Sequence, residues 1–195
     1  MCQFIESICC IDGVALNLKI HQERVNRTFS THMKEKAVNL SQLITNIPKT
    51  GKYKCRIEYS NELTSLEYQP YNTRIINSLK LVRNDSLDYS FKFKNRNKLD
   101  RLFAQKDNAD DIIIVRQGLV TDSYYANLAF YDGNKWFTPT NPLLKGTKRA
   151  YYLLNGRLIE KDILGSDVFY YKKVSLINAM LDLSEIEVDI SNIQS

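Results

Sequence analysis

A few polar residues stand where chemistry could be done. Lys92 lies among Tyr89, Phe91 and Phe93 at the end of a predicted strand. An ammonium drawn into apolar surroundings gives up its proton readily, as an imine-forming lysine must, while an exposed strand lysine is the ordinary alternative. Asp122 follows Val120-Thr121 and precedes Ser123, so it is either a working carboxylate or one that forms a turn or caps a helix. Gly146-Thr147-Lys148 puts a glycine and a hydroxyl where a helix begins, and backbone N–H groups there can face a phosphate, although many helices begin this way without a ligand. Arg24, on an early helix, is a second phosphate contact or a solvated helix charge. Together with Asn127 these residues amount to an anion site plus an acid and an amine; the residue types alone name no reaction.

The pattern of the chain predicts the elements that must hold them. Apolar runs over residues 4–11 and 14–20 flank Asp12-Gly13, a dipeptide suited to a two-residue hairpin. Val25 and Phe29 recur at helical spacing within residues 21–33, and a second short helix is expected over 38–47, closed by Pro48 and Gly51. Strands are expected at 53–59, 66–71 and 74–82, and the polar stretch 84–88 divides the chain into domains 1–84 and 85–195. Beyond it come a helix over 99–105, a buried strand at Ile112-Ile113-Ile114-Val115 and a turn at Gln117-Gly118. A hairpin around Asp132-Gly133-Asn134, a helix over 147–154 capped by Asn155-Gly156 and a last helix over 176–183 complete an α/β (α+β) chain.

Composition narrows the function classes. The 195 residues are 44% hydrophobic and 25% charged, with only 7 glycines and 4 prolines, which argues against disorder, a disulfide miniprotein or a collagen-like repeat. The net charge of +5 is scattered, so nucleic acid is not an expected partner. Cys2, Cys9, Cys10 and Cys55 form no CxxC pair and His21 and His32 are the only histidines, so no metal site is expected. Neither a secretory start nor a membrane-length apolar run is evident, which predicts a cytoplasmic chain with reduced thiols and no membrane partner. The GxSxG, GxxxxGK[ST], HExxH and GxGxxG signatures are absent, and most hydrolase and nucleotide readings fall with them.

Taken in order, several short motifs make almost the whole chain resemble a known family. They are Phe4-Ile5-Glu6-Ser7 with the Asp12-Gly13 hairpin, His21-Gln22-Glu23-Arg24, Asn108-Ala109-Asp110-Asp111-Ile112, Val120-Thr121-Asp122-Ser123, Ala126-Asn127-Leu128, Phe137-Thr138-Pro139 and Leu144-Lys145-Gly146-Thr147-Lys148-Arg149. The family is the pyridoxal-phosphate enzymes of fold type IV, or class IV aminotransferases, which include branched-chain and D-amino-acid aminotransferases and aminodeoxychorismate lyase. The resemblance implies a small N-terminal α/β domain and a larger C-terminal, pseudo-barrel-like β domain with helices that carries the Schiff-base lysine. The active site would lie between the domains and borrow residues from a second subunit, so a homodimer is implied. The strands that precede the first motif in relatives are absent, and something else must cover that edge.

Residue by residue, the resemblance implies pyridoxal 5'-phosphate as cofactor and Lys92 as its imine-forming, catalytic lysine. Lys92-Phe93-Lys94-Asn95-Arg96 looks like the lysine-x-x-Asn-Arg run of the lyases, with Lys94 and Lys98 as competitors. Asp122 falls where the family places a glutamate against the pyridine nitrogen, a carboxylate that keeps the ring protonated. Arg24 matches the phosphate-binding arginine, and Thr147 and Lys148 match the two residues after Gly146 whose N–H groups hold the phosphate. Asn127 and Asn178 complete the implied cofactor set, Lys145 stands where many relatives have proline, and Tyr124 and Tyr125 wall the pocket or serve packing. The Lys-x-x-Asn-Arg run, Ala126-Asn127-Leu128 and Ile177-Asn178-Ala179-Met180 lean towards 4-amino-4-deoxychorismate lyase, which makes 4-aminobenzoate and pyruvate for folate biosynthesis from a small amino substrate. An amino acid aminotransferase is the alternative within the family, and a non-catalytic α/β binding protein the alternative outside it.

Overall fold

Asp12 and Gly13 both take positive φ, 48° and 84°, which lets two residues reverse the chain with the twist a hairpin needs. They fold β1 (Phe4–Ile11) onto β2 (Val14–Ala15). This computed structural model describes residues 3–33 and 35–195; Cys2 lies outside them. The chain forms two compact units, Met1–Thr73 with Phe91–Asn95, and Arg74–Ser90 with Arg96–Ser195.

In the first unit the second apolar run stays extended only to Ala15, because Asn17 turns left-handed (φ 54°) and launches α1 (Leu18–His32). The next helix is one turn, α2 (Leu40–Leu43), shorter than the pattern over 38–47 predicts; the Asn39 side chain caps it by accepting from Ser41 N. β3 (Lys52–Tyr59) and β4 (Leu63–Pro70) complete an antiparallel sheet of order β2-β1-β3-β4. Val25 and Phe29 of α1 pack on Phe4, Ile8, Cys10, Cys55, Ile57 and Tyr59, and Phe29 stacks on Tyr59 with ring centres 5.7 Å apart. Cys9, Cys10 and Cys55 are buried.

The second unit is built on β5 (Leu79–Arg83), α3 (Asn97–Phe103), β6 (Asp111–Arg116), β7 (Leu119–Ser123), β8 (Asn127–Tyr131) and β9 (Trp136–Pro139). α4 (Thr147–Leu154), β10 (Ile159–Lys161), β11 (Lys173–Ile177), β12 (Glu187–Asp189) and β13 (Ile193–Gln194) follow. Its nine-stranded sheet runs β10-β9-β8-β7-β6-β5-β13, with β11 pairing both β8 and β12. β6 lies parallel to β5 and antiparallel to β7, and its Ile112, Ile113 and Ile114 are wholly buried, which explains the unbroken apolar run.

Three expectations need correction. The boundary expected at 84/85 falls at 73/74, because β5 takes its hydrogen bonds from β6 and so belongs to the second sheet. Residues 91–95, which carry Lys92, return to the first unit: Phe4 bridges Phe93, Ile5 N donates to Lys92 O (2.9 Å) and Lys94 N donates to Gln3 O (2.8 Å). The helix expected over 176–183 does not form, because Val174, Leu176 and Ile177 are buried in β11 and the chain then turns. Short apolar runs fit a buried strand as well as a helix, and pairing with β8 decides. Among the described residues no helix is long and apolar enough to cross a membrane.

Leu128, fully buried in β8, packs in the centre of the second sheet. Leu128→Ala should cost about 2–5 kcal/mol, read as a lower urea midpoint at an unchanged denaturant slope.

Candidate active site

Asp122 near the end of β7 lies directly opposite Asn127, the first residue of β8. Asn127 Nδ2 donates to Asp122 Oδ1 (2.7 Å) and to Leu144 O (2.9 Å), while Leu144 N donates to Asp122 Oδ2 (2.9 Å). Burial outweighs these donors and the more distant Arg149 charge, and it pushes the Asp122 carboxyl up to about 7.

The same asparagine explains Gly146. A Cβ there would lie 1.8 Å from Asn127 Oδ1, so the glycine is demanded by space; its φ of −71° suits any residue. Gly146 leads into α4 with no side chain capping the helix, so the N–H groups of its first turn face outward from the helix end. Thr147, Lys148 and Arg149 are all buried. Lys148 Nζ is bound to Asp182 Oδ1 (2.6 Å), which also accepts from Tyr152 OH (2.9 Å), so the Lys148 ammonium is already engaged.

Asn178 closes the turn after β11, where its Oδ1 accepts from Met180 N (2.8 Å) and Leu181 N (3.1 Å). Tyr124 stacks on Phe103 (4.3 Å) and donates to Asp100 Oδ1 (2.7 Å), which ties it to α3. Tyr125 carries Arg74 over its ring at 5.8 Å.

In the first unit Arg24 is 9% exposed, which removes the reading of a solvated helix charge. Its Nε and Nη2 donate to Glu6 Oε1 (2.8 Å) and Oε2 (2.6 Å), and His21 Nδ1 lies 2.7 Å from Glu6 Oε2. The lysines near the Lys-x-x-Asn-Arg run also separate. Lys94 is held by Glu58 (2.6 Å), Lys98 is exposed on α3, and Lys92 is half-buried on the segment bonded to Ile5.

Three contributors, Glu6, Arg149 and Asp111, entered the sequence reading only as members of longer motifs, with no role of their own. Arg149 Nη2 donates to Pro139 O (2.7 Å) and Glu160 Oε1 (2.6 Å), which pins the start of α4 to β9 and β10. Asp111 is wholly buried; its Oδ1 accepts from Ile112 N (2.7 Å) and Tyr124 N (3.3 Å), its Oδ2 has no partner, and burial pushes it up to about 6. A charged residue opening a buried apolar run was the available hint.

These residues fit a small phosphorylated heteroaromatic cofactor. A glycine kept open by a neighbouring side chain starts an uncapped helix, and a buried carboxyl, held by neutral N–H donors and thus receptive to a cationic ring nitrogen, bonds the residue two positions earlier.

Comparison with known proteins agrees. The amino-transferase class IV family matches residues 3–187. A crystal structure of a "putative 4-amino-4-deoxychorismate lyase" from Haemophilus somnus is 35% identical, superposes with a TM-score of 0.87, and is matched over 94% of this chain and 98% of its own. An uncharacterized Haemophilus influenzae protein is 34% identical over 92% of this chain and 98% of its own length. A "putative aminodeoxychorismate lyase" of Schizosaccharomyces pombe is 37% identical over 67 residues, 33% of this chain and 29% of that protein. The chain belongs to the class IV aminotransferases, the pyridoxal-phosphate-dependent enzymes of fold type IV. It is an enzyme of that family, and the non-catalytic reading falls.

Two measurements test the site. Asp122 shifts from an ordinary 3.8 to about 7, so its protonated form favours the fold; the stability it adds is full below pH 3.8 and is lost as the pH rises through about 7. Thermal melts of the cofactor-free protein over that window should show a smaller decline for Asp122→Asn, which cannot ionise. Gly146→Ala, which displaces Asn127, should cost about 2–4 kcal/mol, and adding Asn127→Ala should recover part of that loss in urea titrations.

Proposed function

We propose that the chain is a 4-amino-4-deoxychorismate lyase, binding pyridoxal 5'-phosphate and releasing 4-aminobenzoate and pyruvate. The observation that carries the cofactor is the bond from Leu144 N to the buried Asp122 carboxyl, two residues before Gly146 and the start of α4. It joins an acceptor for a ring nitrogen to a phosphate-type helix start on one rigid loop. The reaction choice rests on the Lys92-Phe93-Lys94-Asn95-Arg96 run and on similarity to the Haemophilus somnus protein over 94% of the chain.

Bound cofactor would supply an electron sink for the carbon that bears the substrate amine. Asp122 would hold the ring nitrogen's proton, and its shorter side chain relative to the family's glutamate is offset by the Asn127 and Leu144 bonds that fix its carboxyl. Backbone N–H groups of Thr147 and Lys148, with Arg24, would take the phosphate, while Gly146 keeps the approach open and Asn127 holds the loop. Asn178, whose side chain orders its own turn, would contribute through that loop. Lys92 Nζ, displaced by the substrate amine, would accept the proton from the carbon bearing that amine and return one to the departing three-carbon group. A homodimer, a place in folate synthesis and a cytoplasmic setting with reduced Cys9, Cys10 and Cys55 accord with this reading.

The test is the absorbance of the protein with added pyridoxal phosphate before and after borohydride, with peptide mapping of the reduced adduct. A yellow, reducible adduct on Lys92, abolished in Lys92→Ala, is expected, along with pyruvate release from aminodeoxychorismate. Turnover of amino acid and keto acid pairs without pyruvate release would assign the transaminase reaction instead. An adduct on Lys94 or Lys98 would overturn the placement of the site.

A further inference from the structure

Glu6 stands on β1 with its carboxylate wholly enclosed beneath α1. Burial opposes its ionisation, yet the Arg24 charge and the hydrogen bonds from His21 and Arg24 outweigh that and hold it down at about 2. His21, also enclosed, is pushed below the ordinary histidine range because burial, aided by the Arg24 and Lys92 charges, outweighs its hydrogen bond to Glu6 and the Glu6 charge. It is therefore neutral near pH 7, and with an ionised Glu6 its Nδ1–H is the donor in the 2.7 Å contact.

The arrangement needs a reason other than stability. A buried ion pair usually contributes little beyond what an apolar packing of the same volume would give, because desolvation offsets the attraction. What a two-point Arg–carboxylate contact does supply is orientation, since two parallel N–H···O bonds fix the guanidinium plane. Here Nε and Nη2 both donate to Glu6, at 2.8 and 2.6 Å, and His21 holds the same Oε2 that Nη2 reaches. Thr28 Oγ1 adds a bond to Arg24 O (3.0 Å) one turn along α1, so backbone and side chain of Arg24 are both restrained.

We infer that Glu6 and His21 are positioning residues for Arg24: they lock its guanidinium in the plane in which it receives the cofactor's phosphate, so that phosphate affinity depends on all three. This rests on the reading of Arg24 as a phosphate contact, and it adds to that reading two residues that touch no ligand themselves. The role is comparable to that of groups that orient a metal ligand from behind, whose loss typically weakens binding by about tenfold or more.

The experiment compares dissociation constants of pyridoxal phosphate and of phosphate-free pyridoxal, by visible absorbance, for the wild type, Arg24→Lys, Glu6→Gln, His21→Asn and the Arg24→Lys/Glu6→Gln double variant, with thermal melts alongside. The readout is the preference for the phosphorylated form, which general loss of packing leaves unchanged in folded protein. Arg24→Lys should lower that preference by about tenfold or more and Glu6→Gln by about tenfold, with His21→Asn in the same direction but smaller. The double variant should be no worse than Arg24→Lys alone, because both act through one guanidinium. If Arg24→Lys loses the preference while folded Glu6→Gln or His21→Asn keeps it, the positioning role is wrong and the triad is structural. If Arg24→Lys itself keeps it, the phosphate reading of Arg24 fails. Should Glu6→Gln not fold, His21→Asn decides by the same ratio.

Discussion

A carboxyl group enclosed in protein must either find donors or give up its charge, and the second unit is organised around that demand at Asp122. Asp122 is buried, and the donors at its two oxygens include the Asn127 amide and the Leu144 backbone, both neutral. Satisfying them fixes the rest: Asn127 must reach across from β8, its oxygen then fills the space beside Gly146, and only a residue without Cβ can pass there into α4. The acid, the glycine and the helix start are therefore one construction. Because neutral donors stabilise a carboxylate less than burial penalises it, the Asp122 carboxyl is pushed up to about 7.

Glu6 in the first unit meets the same demand with the opposite solution. It is as deeply enclosed, but a guanidinium and an imidazole stand at hydrogen-bond distance, so it remains charged throughout the ordinary pH range. Two buried carboxyls are thus left in contrasting states by their neighbours: Glu6 stays ionised beside Arg24, and Asp122 is pushed towards its neutral form. Lys92 belongs with the first unit because its segment is bonded to β1, the strand that also carries Glu6.

Much of the fold was legible because it depends on neighbouring residues. Asp12, Gly13 and Gly118 adopt the positive φ values that aspartate and glycine tolerate, and the helical spacing of Val25 and Phe29 marked α1. The misjudged pieces were those in which a distant partner decides. Leu176 and Ile177, expected to open a helix, could serve a helix or a strand until β8 paired with them, and β5 was placed with the wrong domain because its partner β6 lies beyond an intervening helix. Residues 91–95 carry no local sign that they return to β1.

The sequence by itself determined the kind of chemistry: an amine at Lys92, an acid at Asp122, a guanidinium at Arg24 and a glycine before a helix, in an order that resembles one enzyme family. Residue type and order along the chain are enough for that, because functional groups are carried by side chains. Only the tertiary structure decided which of these groups is charged, which is held and by what. Ionisation and orientation depend on burial and on hydrogen-bond partners that are close in space and far apart in sequence. Glu6 and Arg24 are brought together by a helix packing on a strand, and Asp122 and Leu144 by a loop folding back over β7.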